Sequence, residues 1–363
     1  MARYRAAIVG TGAIATAHAA ALRALGDRVE LAAVVDVDRA RATAFAAEWS
    51  VPTVAADLAG LLTGEHLDLV HICTPPAAHV PLALDCLRAG AHVVVEKPPT
   101  LSLADLDVLV EASRETGSHL ATIFQHRFGA GAARLRGLIA AGELGRPLLA
   151  TCETLWYRDQ AYYEVPWRGK WETEGGGPTM GHGIHQFDLL LSVLGPWEQV
   201  TAVAARQARP VVTEDVSMAL VTFADGTVAS VVNSVLSPRQ VSALRFDFEY
   251  ATVELSHLYG YTDANWTITP APGHEDLAER WAKASDSTEI TDHLPQLTAV
   301  LDALDAGAPP PVTLAETRQT MEFIAAIYAS AFTRRPISRG EIGAGHPFAT
   351  SMNGTGAPWE TSR

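Results

Sequence analysis

Gly10, Gly12 and Ala15 stand in a G-x-G-x-x-A spacing within AAIVGTGAIATAHAAAL, residues 6–22, where an apolar run gives way to an alanine-rich helical stretch. The first glycine permits a tight strand-to-helix turn and the second lets a pyrophosphate approach the backbone. The small third residue allows close helix packing, and the amides of the helix N-terminus act as donors. Asp36 closes the next apolar run, VELAAVVD. A carboxylate there can accept hydrogen bonds from ribose hydroxyls and repel a 2′-phosphate, so NAD is the favoured dinucleotide. Two other readings compete at this acid. Asp36 can serve as a helix N-cap, although Asp38 is better placed for that; or Asp36 turns away and Arg39 pairs with the 2′-phosphate of NADP.

Three further segments carry chemistry at the carboxyl ends of expected parallel strands, the edge where ligands bind in such sheets: LVHICTPPAAH at 69–79, VVVEKPP at 93–99 and FQHRFG at 124–129. Arg127, in the last of them, suits a structural salt bridge as well as it suits a ligand. The loop LWYRDQAYYEVPWRGKW, residues 155–171, collects Trp156, Arg158, Trp167 and Arg168. Aromatic faces with polar tips suit a sugar-like polyol, and an arginine suits hydroxyl or carboxylate groups; an aromatic cluster that merely anchors the core is the alternative for Trp156. Next comes GGGPTMGHGIHQFDLLL, 175–191, with His182, His185 and Asp188. These lack H-E-x-x-H spacing, and no metal is expected.

The elements that must position these residues are legible in the pattern. To about residue 125, near-continuous apolar runs (AAIVG, VELAAVVD, LDLVHICT, AHVVVEK, SHLATIF) alternate with helical stretches, as a doubly wound parallel sheet requires. Beyond it, a helix over MGHGIHQFDLLLSVLG precedes alternating runs at SMALVTF, TVASVVNSV, SALRFDFEY and TVELSHL, with a hairpin signal at residues 224–226. The class is therefore α/β: an N-terminal Rossmann domain, 1–125, and a C-terminal α+β domain, 126–363, with a largely antiparallel open sheet. Closing helices are expected at 292–306 and 315–333, and an irregular stretch at 335–363. The exposed face of the open sheet predicts a homodimer or homotetramer.

Composition narrows the function classes. The net charge of −14 over 363 residues, without basic clusters, argues against nucleic acid. Cys73, Cys86 and Cys152 form no C-x-x-C pair, so neither a disulfide framework nor a thiolate zinc site is expected. With no leader pattern and no apolar run of spanning length, a cytoplasmic protein without membrane association is expected.

With GTGAIA, the EKP tripeptide at 96–98 and GGGPTMGHGIHQFDLLL, the chain resembles the Gfo/Idh/MocA family of glucose-fructose oxidoreductases and inositol dehydrogenases over nearly its whole length, including GHPF near the end. The resemblance implies hydride transfer between nicotinamide C4 and a secondary alcohol or ketone carbon of a sugar, inositol or related polyol. It implies that Lys97 meets both nicotinamide and reacting hydroxyl, with His185 facing the same centre, the division of proton handling between the two being open. Together with the strand-edge placement, it assigns to the cofactor Gly10, Gly12, Ala13, Ile14, Asp36, Arg39, Thr74, Pro75, Pro76, His79, Glu96, Lys97, Gln125, Trp167 and Arg168. To the substrate it assigns Lys97, Arg127, Trp156, Arg158, Arg168, His182 and His185. Relatives often carry an acid or amide four residues before the helix histidine; this chain has Gly181 there. Two other activities fit the same features: an NAD-dependent glycosidase with transient substrate oxidation, and a dinucleotide sensor without turnover.

Overall fold

The structure, a computed structural model, describes residues 4–283 and 290–360. The chain divides into two units. The first comprises Met1–Thr100, Ala104–Ile123 and Asp292–Thr317, and the second Leu101–Leu103, Phe124–Thr291 and Arg318–Arg363. The main change falls beside the expected residue 125, but Asp292–Thr317, expected in the second domain, belongs to the first. The reason is apolar burial: helix His293–Asp305 places Leu297, Val300 and Leu301 in one cluster with Ile8, Ala15, Ala19, Leu22 and Val34. An amphipathic helix takes whichever apolar partner covers its stripe, regardless of distance along the chain.

In the first unit, strands β1 (Tyr4–Val9), β2 (Val29–Val35), β3 (Thr53–Ala55), β4 (Leu69–Ile72), β5 (His92–Val95) and β6 (Leu120–Thr122) form a parallel sheet in the order β3-β2-β1-β4-β5-β6. All four residues of β4 are buried, as are the last four of β1, which explains the continuous apolar runs. Strand order reverses between β1 and β4. The loops after β1 and β4, residues 10–14 and 74–79, therefore leave the sheet at its topological switch point, with the loop after β5, residues 96–99, beside them. Gly10 has φ +89°, and a Cβ on it would stand 2.8 Å from the Cys73 carbonyl oxygen; one on Gly12 would meet nothing within 4 Å.

The second unit holds β7 (Pro147–Tyr157), β8 (Trp197–Ala205), β9 (Val216–Phe223), β10 (Val228–Ser234), β11 (Leu236–Phe248), β12 (Ala251–His257), β13 (Trp266–Pro270) and β14 (Ile337–Ser338) in the order β13-β12-β11-β7-β10-β9-β8-β14. In this sheet only β7 and β10 pair in parallel among the described residues. Burial alternates: Ser217, Ala219, Val221 and Phe223 of β9 face inward while Met218 and Leu220 are exposed. Helix Ile184–Leu194 packs on β7 and β11.

Two expectations change here. The helix expected through MGHGIHQFDLLLSVLG is divided into Pro178–Gly181 and Ile184–Leu194: the backbone leaves helical geometry at His182, with φ −119°, and Gly183 lies against the Asn233 side chain and the Phe187 ring with no room for a Cβ. The stretch from 335 is pinned rather than loose: Ile337–Ser338 pairs with β8, Pro347–Thr350 is helical, and Ile342, Phe348, Met352 and Ala357 are buried. Its last residues, 361–363, lie outside the described residues.

Gly10→Ala is expected to lower unfolding stability by roughly 1–3 kcal/mol, and Gly12→Ala to leave the denaturant midpoint unchanged. Equal losses in the two variants would contradict the close approach at residue 10.

Candidate active site

The first loop is held by its own acid. The Thr11 amide and hydroxyl donate to Asp36 Oδ2 at 2.7 and 2.9 Å, and the Asp38 amide donates to Oδ1 at 2.8 Å. Asp38 caps helix Arg39–Trp49 through the amides of Ala40 and Arg41, a contribution of about 1 kcal/mol. The guanidinium beside Asp36 is that of Arg41, 2.7 Å away. Arg39 is exposed at the first position of the helix, and Asp36 is turned toward Arg41 rather than away from the loop. Burial alone would raise the Asp36 carboxyl; hydrogen bonds from Arg41, Thr11 and Asp38 outweigh it and bring it to about 2. The residues fit a dinucleotide. Gly12 leaves open space at the helix start and Ile14 stands as the N-cap of helix Ala15–Ala24, while Asp36 offers an ionised acceptor at the end of β2.

The loops after β4 and β5 are tied to each other by His79. Its Nε2 lies 2.8 Å from the Thr74 carbonyl and its Nδ1 lies 2.9 Å from that of Pro98. The ring is fully buried, so it shapes these loops from behind rather than offering a face to a ligand. Thr74 and Lys97 are half-buried, Pro75 is exposed and Pro76 is buried. Glu96 also points inward, toward His18 and His293 at 3.0 and 2.9 Å. Expected as cofactor contacts, the His79 and Glu96 side chains are both spent on internal partners, because a buried polar group must find its partner inside the protein.

In the second unit, His185 lies in a nest of rings. His126 stacks on it at 4.7 Å between centroids, and Tyr259 meets it edge-on at 5.8 Å. The Gln186 side-chain amide donates to His126 Nδ1 at 3.3 Å and His257 Nε2 at 3.0 Å, and His257 Nδ1 donates to the Tyr259 carbonyl at 3.1 Å. Burial pushes His257 down to about 4, so it stays neutral in the fold. Gln125 donates to the Tyr259 hydroxyl at 3.4 Å. Arg127 donates from Nε to buried Asp188 at 2.8 Å, realising the salt bridge that was one of its two readings.

The aromatic loop forms a second grouping in this unit. Arg158 lies over Trp156 and Tyr162, at 4.6 and 5.0 Å, and donates to His182 Nε2 at 3.2 Å. Arg168 lies over Tyr162 and Trp167, at 3.9 and 4.4 Å, with Glu174 at 3.5 Å. Trp156 is buried and donates to the Ser242 hydroxyl at 2.9 Å. A Cβ at position 181 would stand 3.6 Å from Glu174 Oε1, so a carboxylate lies beside the glycine that replaces the family's acid or amide. The glycine triplet is held by Glu214, which accepts from the Gly177 and Thr179 amides at 3.0 Å each and from the Tyr328 hydroxyl at 2.9 Å.

Sequence reasoning did not find His126, His257, Gln186, Glu174 or Glu214. His126 adjoins Gln125 and Arg127, and Gln186 adjoins His185; neighbourhood to a motif was the only signal available. Glu214 lay 37 residues from its Gly177 partner, with nothing local to mark it.

The oxidoreductase family with an NAD-binding Rossmann fold matches residues 4–124, and the Gfo/Idh/MocA C-terminal domain matches residues 132–254. D-glucoside 3-dehydrogenase of Escherichia coli is 28% identical over 91% of this chain and 95% of its own length. Myo-inositol 2-dehydrogenase of Thermotoga maritima is 29% identical over 55% of this chain and 57% of its own. The crystallised WlbA dehydrogenase from Bordetella pertussis, in complex with NADH and UDP-GlcNAcA, matches with a TM-score of 0.82 at 28% identity, covering 93% of this chain and 97% of its own. The chain belongs to the Gfo/Idh/MocA family of NAD-binding oxidoreductases.

The Asp36 carboxyl is held at about 2 in the fold against an ordinary 3.8, so the unfolded chain binds its proton more readily. Its stabilisation is complete above 3.8 and is lost as pH falls toward 2. The stability gap between wild type and Asp36→Asn, followed by urea unfolding, is expected to close across that window; a constant gap would show that the charge is not what stabilises the corner.

Proposed function

We propose that this enzyme passes a hydride between NAD and a secondary alcohol or ketone carbon of a sugar or polyol, with Lys97 and His185 exchanging the accompanying proton. The ionised Asp36 at the end of β2, tied to the glycine loop, carries the cofactor half of this reading, since it repels a 2′-phosphate. The relatives' names, a glucoside dehydrogenase and an inositol dehydrogenase, support the substrate half.

When bound, the cofactor supplies the hydride acceptor or donor. The chain's own groups do the rest. Gly12, Ala13 and Ile14 present backbone to the pyrophosphate, and Thr74, Pro75, Pro76 and Lys97 line the sheet edge. Lys97 takes or returns the hydroxyl proton. His185, held in one direction by the His126 stack, shares in that proton exchange and orients the reacting oxygen. Arg158 and Arg168, flattened on aromatic faces, bind the sugar's hydroxyl or carboxylate groups.

Lys97→Ala is expected to cut turnover on a panel of sugars and inositols by about 10²–10⁴-fold while NAD still binds, read at the nicotinamide absorbance and by calorimetry. Unchanged turnover would remove Lys97 from the reaction, and glycoside cleavage without net NADH would replace the dehydrogenase by a glycosidase. NAD is expected to bind more tightly than NADP; the reverse order would move the discrimination to Arg41.

The chain pairs with a second copy through the outer face of the eight-stranded sheet in this proposal. Val203, Met218, Leu220 and Val228 are exposed there by 64, 50, 68 and 45%, an apolar row that one copy in water leaves uncovered. Met218→Lys with Leu220→Glu is expected to reduce the sedimentation mass to one chain; an unchanged mass would place the contact elsewhere.

A further inference from the structure

Four ionisable side chains that the proposed chemistry does not use meet inside the first unit. His18 lies on helix Ala15–Ala24, His71 in β4, Glu96 just after β5 and His293 at the start of helix His293–Asp305. None is more than 5% exposed. Glu96 Oε1 is 3.0 Å from His18 Nε2 and 2.9 Å from His293 Nε2, and Oε2 is 3.2 Å from the Lys97 amide nitrogen. His18 Nδ1 is 2.8 Å from His71 Nδ1.

These contacts fix where the protons lie. A carboxylate only accepts, so His18 and His293 each donate from Nε2. His18 Nδ1 then carries the lone pair, and His71 donates to it from Nδ1. His71 Nε2 is buried without a hydrogen-bond partner; a second proton there would bury a cation with an unmatched N–H. His18 and His71 therefore need one N–H each and are neutral, and neither cancels the negative charge of Glu96.

The energetics agree with this assignment at His18 and His71. Burial would raise the Glu96 carboxyl, but the His18 and His293 hydrogen bonds outweigh it and hold it well below the usual carboxylate range. Burial pushes His18 down and His71 further. The charge is felt at the neighbours: it adds to burial in raising the Cys73 thiol and works against burial at His79. Lys97 follows directly in the chain. His18 Nε2, Glu96 Oε1 and His293 Nε2 all lie within 4.8 Å of one another, a spacing that a divalent cation also uses. Both nitrogens converge on a single oxygen at hydrogen-bond length, which puts protons rather than a metal between them.

We propose that buried Glu96 sets the charge of the cofactor site, favouring the cationic oxidised nicotinamide over the neutral reduced one. This rests on the cofactor reading above. Glu96 lies at the carboxyl edge of the sheet, and a fixed anion in a poorly polarisable interior stabilises a nearby cation far more than a neutral ring. His18 and His71 support the carboxylate by hydrogen bonding without quenching its charge. Glu96 acts through its field and through the Lys97 amide, so it is a positioning residue.

Glu96→Gln keeps the size and one acceptor but removes the charge. With NAD and NADH titrated calorimetrically, the ratio of their dissociation constants, NAD over NADH, is expected to rise about tenfold in this variant and to stay at the wild-type value in Glu96→Asp. An unchanged ratio in folded Glu96→Gln overturns the proposal. Failure of the wild type to bind either dinucleotide overturns the cofactor reading and this proposal with it. If Glu96→Gln does not fold, histidine ¹⁵N shifts of the wild type at about pH 7.5 decide. Neutral rings protonated at His71 Nδ1 and His18 Nε2 are expected; an imidazolium at either, or stoichiometric metal by elemental analysis, overturns it.

Discussion

A carboxylate moved from water into a protein interior costs several kcal/mol unless donors surround it, and the first unit is organised around one such group. The donors to Glu96 come from the helix that follows the glycine loop, from the helix that begins at residue 293, and from the next amide of its own turn, with β4 backing them through His71. Four stretches of chain, distant in sequence, are thereby referred to one point under the sheet edge. The apolar stripe of Leu297, Val300 and Leu301 brings the late helix to the sheet, and His293 fixes its position there. This is why a segment beyond residue 290 completes a dinucleotide-binding unit that otherwise ends at residue 123.

The same economy governs the second unit, with an amide in place of the carboxylate. Gln186 has two N–H groups and gives one to His126 and one to His257, which fixes the tautomers of both rings. His126 in turn stacks on His185. Behind them the Arg127–Asp188 pair is almost fully buried, a geometry in which breaking one partner costs far more than the pair itself contributes. A side chain aimed by neighbours that each have one way to satisfy their hydrogen bonds cannot swing widely, and that is what a group orienting a reacting oxygen requires.

The arginines of the aromatic loop follow a different rule. Arg158 and Arg168 are partly exposed and lie flat on Trp156, Tyr162 and Trp167. Stacking fixes the plane of a guanidinium while its edge keeps N–H groups available for an oxygen-rich ligand.

The sequence by itself determined what local pattern controls. Continuous apolar runs specified a parallel sheet, alternating ones an antiparallel sheet, and the glycine spacing with Asp36 specified the dinucleotide loop. The Asp38 cap and the helices near 293 and 314 were legible within a residue or two, because caps and helical periodicity are set by near neighbours. Tertiary structure alone decided which partners those residues take. Arg39 and Arg41 are equivalent in composition, and only the turn of the helix puts the second against Asp36. Glu96 reads as part of an edge motif, yet its partners lie 78 and 197 residues away. Hydrogen bonds between side chains carry no periodicity, so neither these imidazoles nor Glu214 beneath the glycine triplet could be paired before the chain was folded.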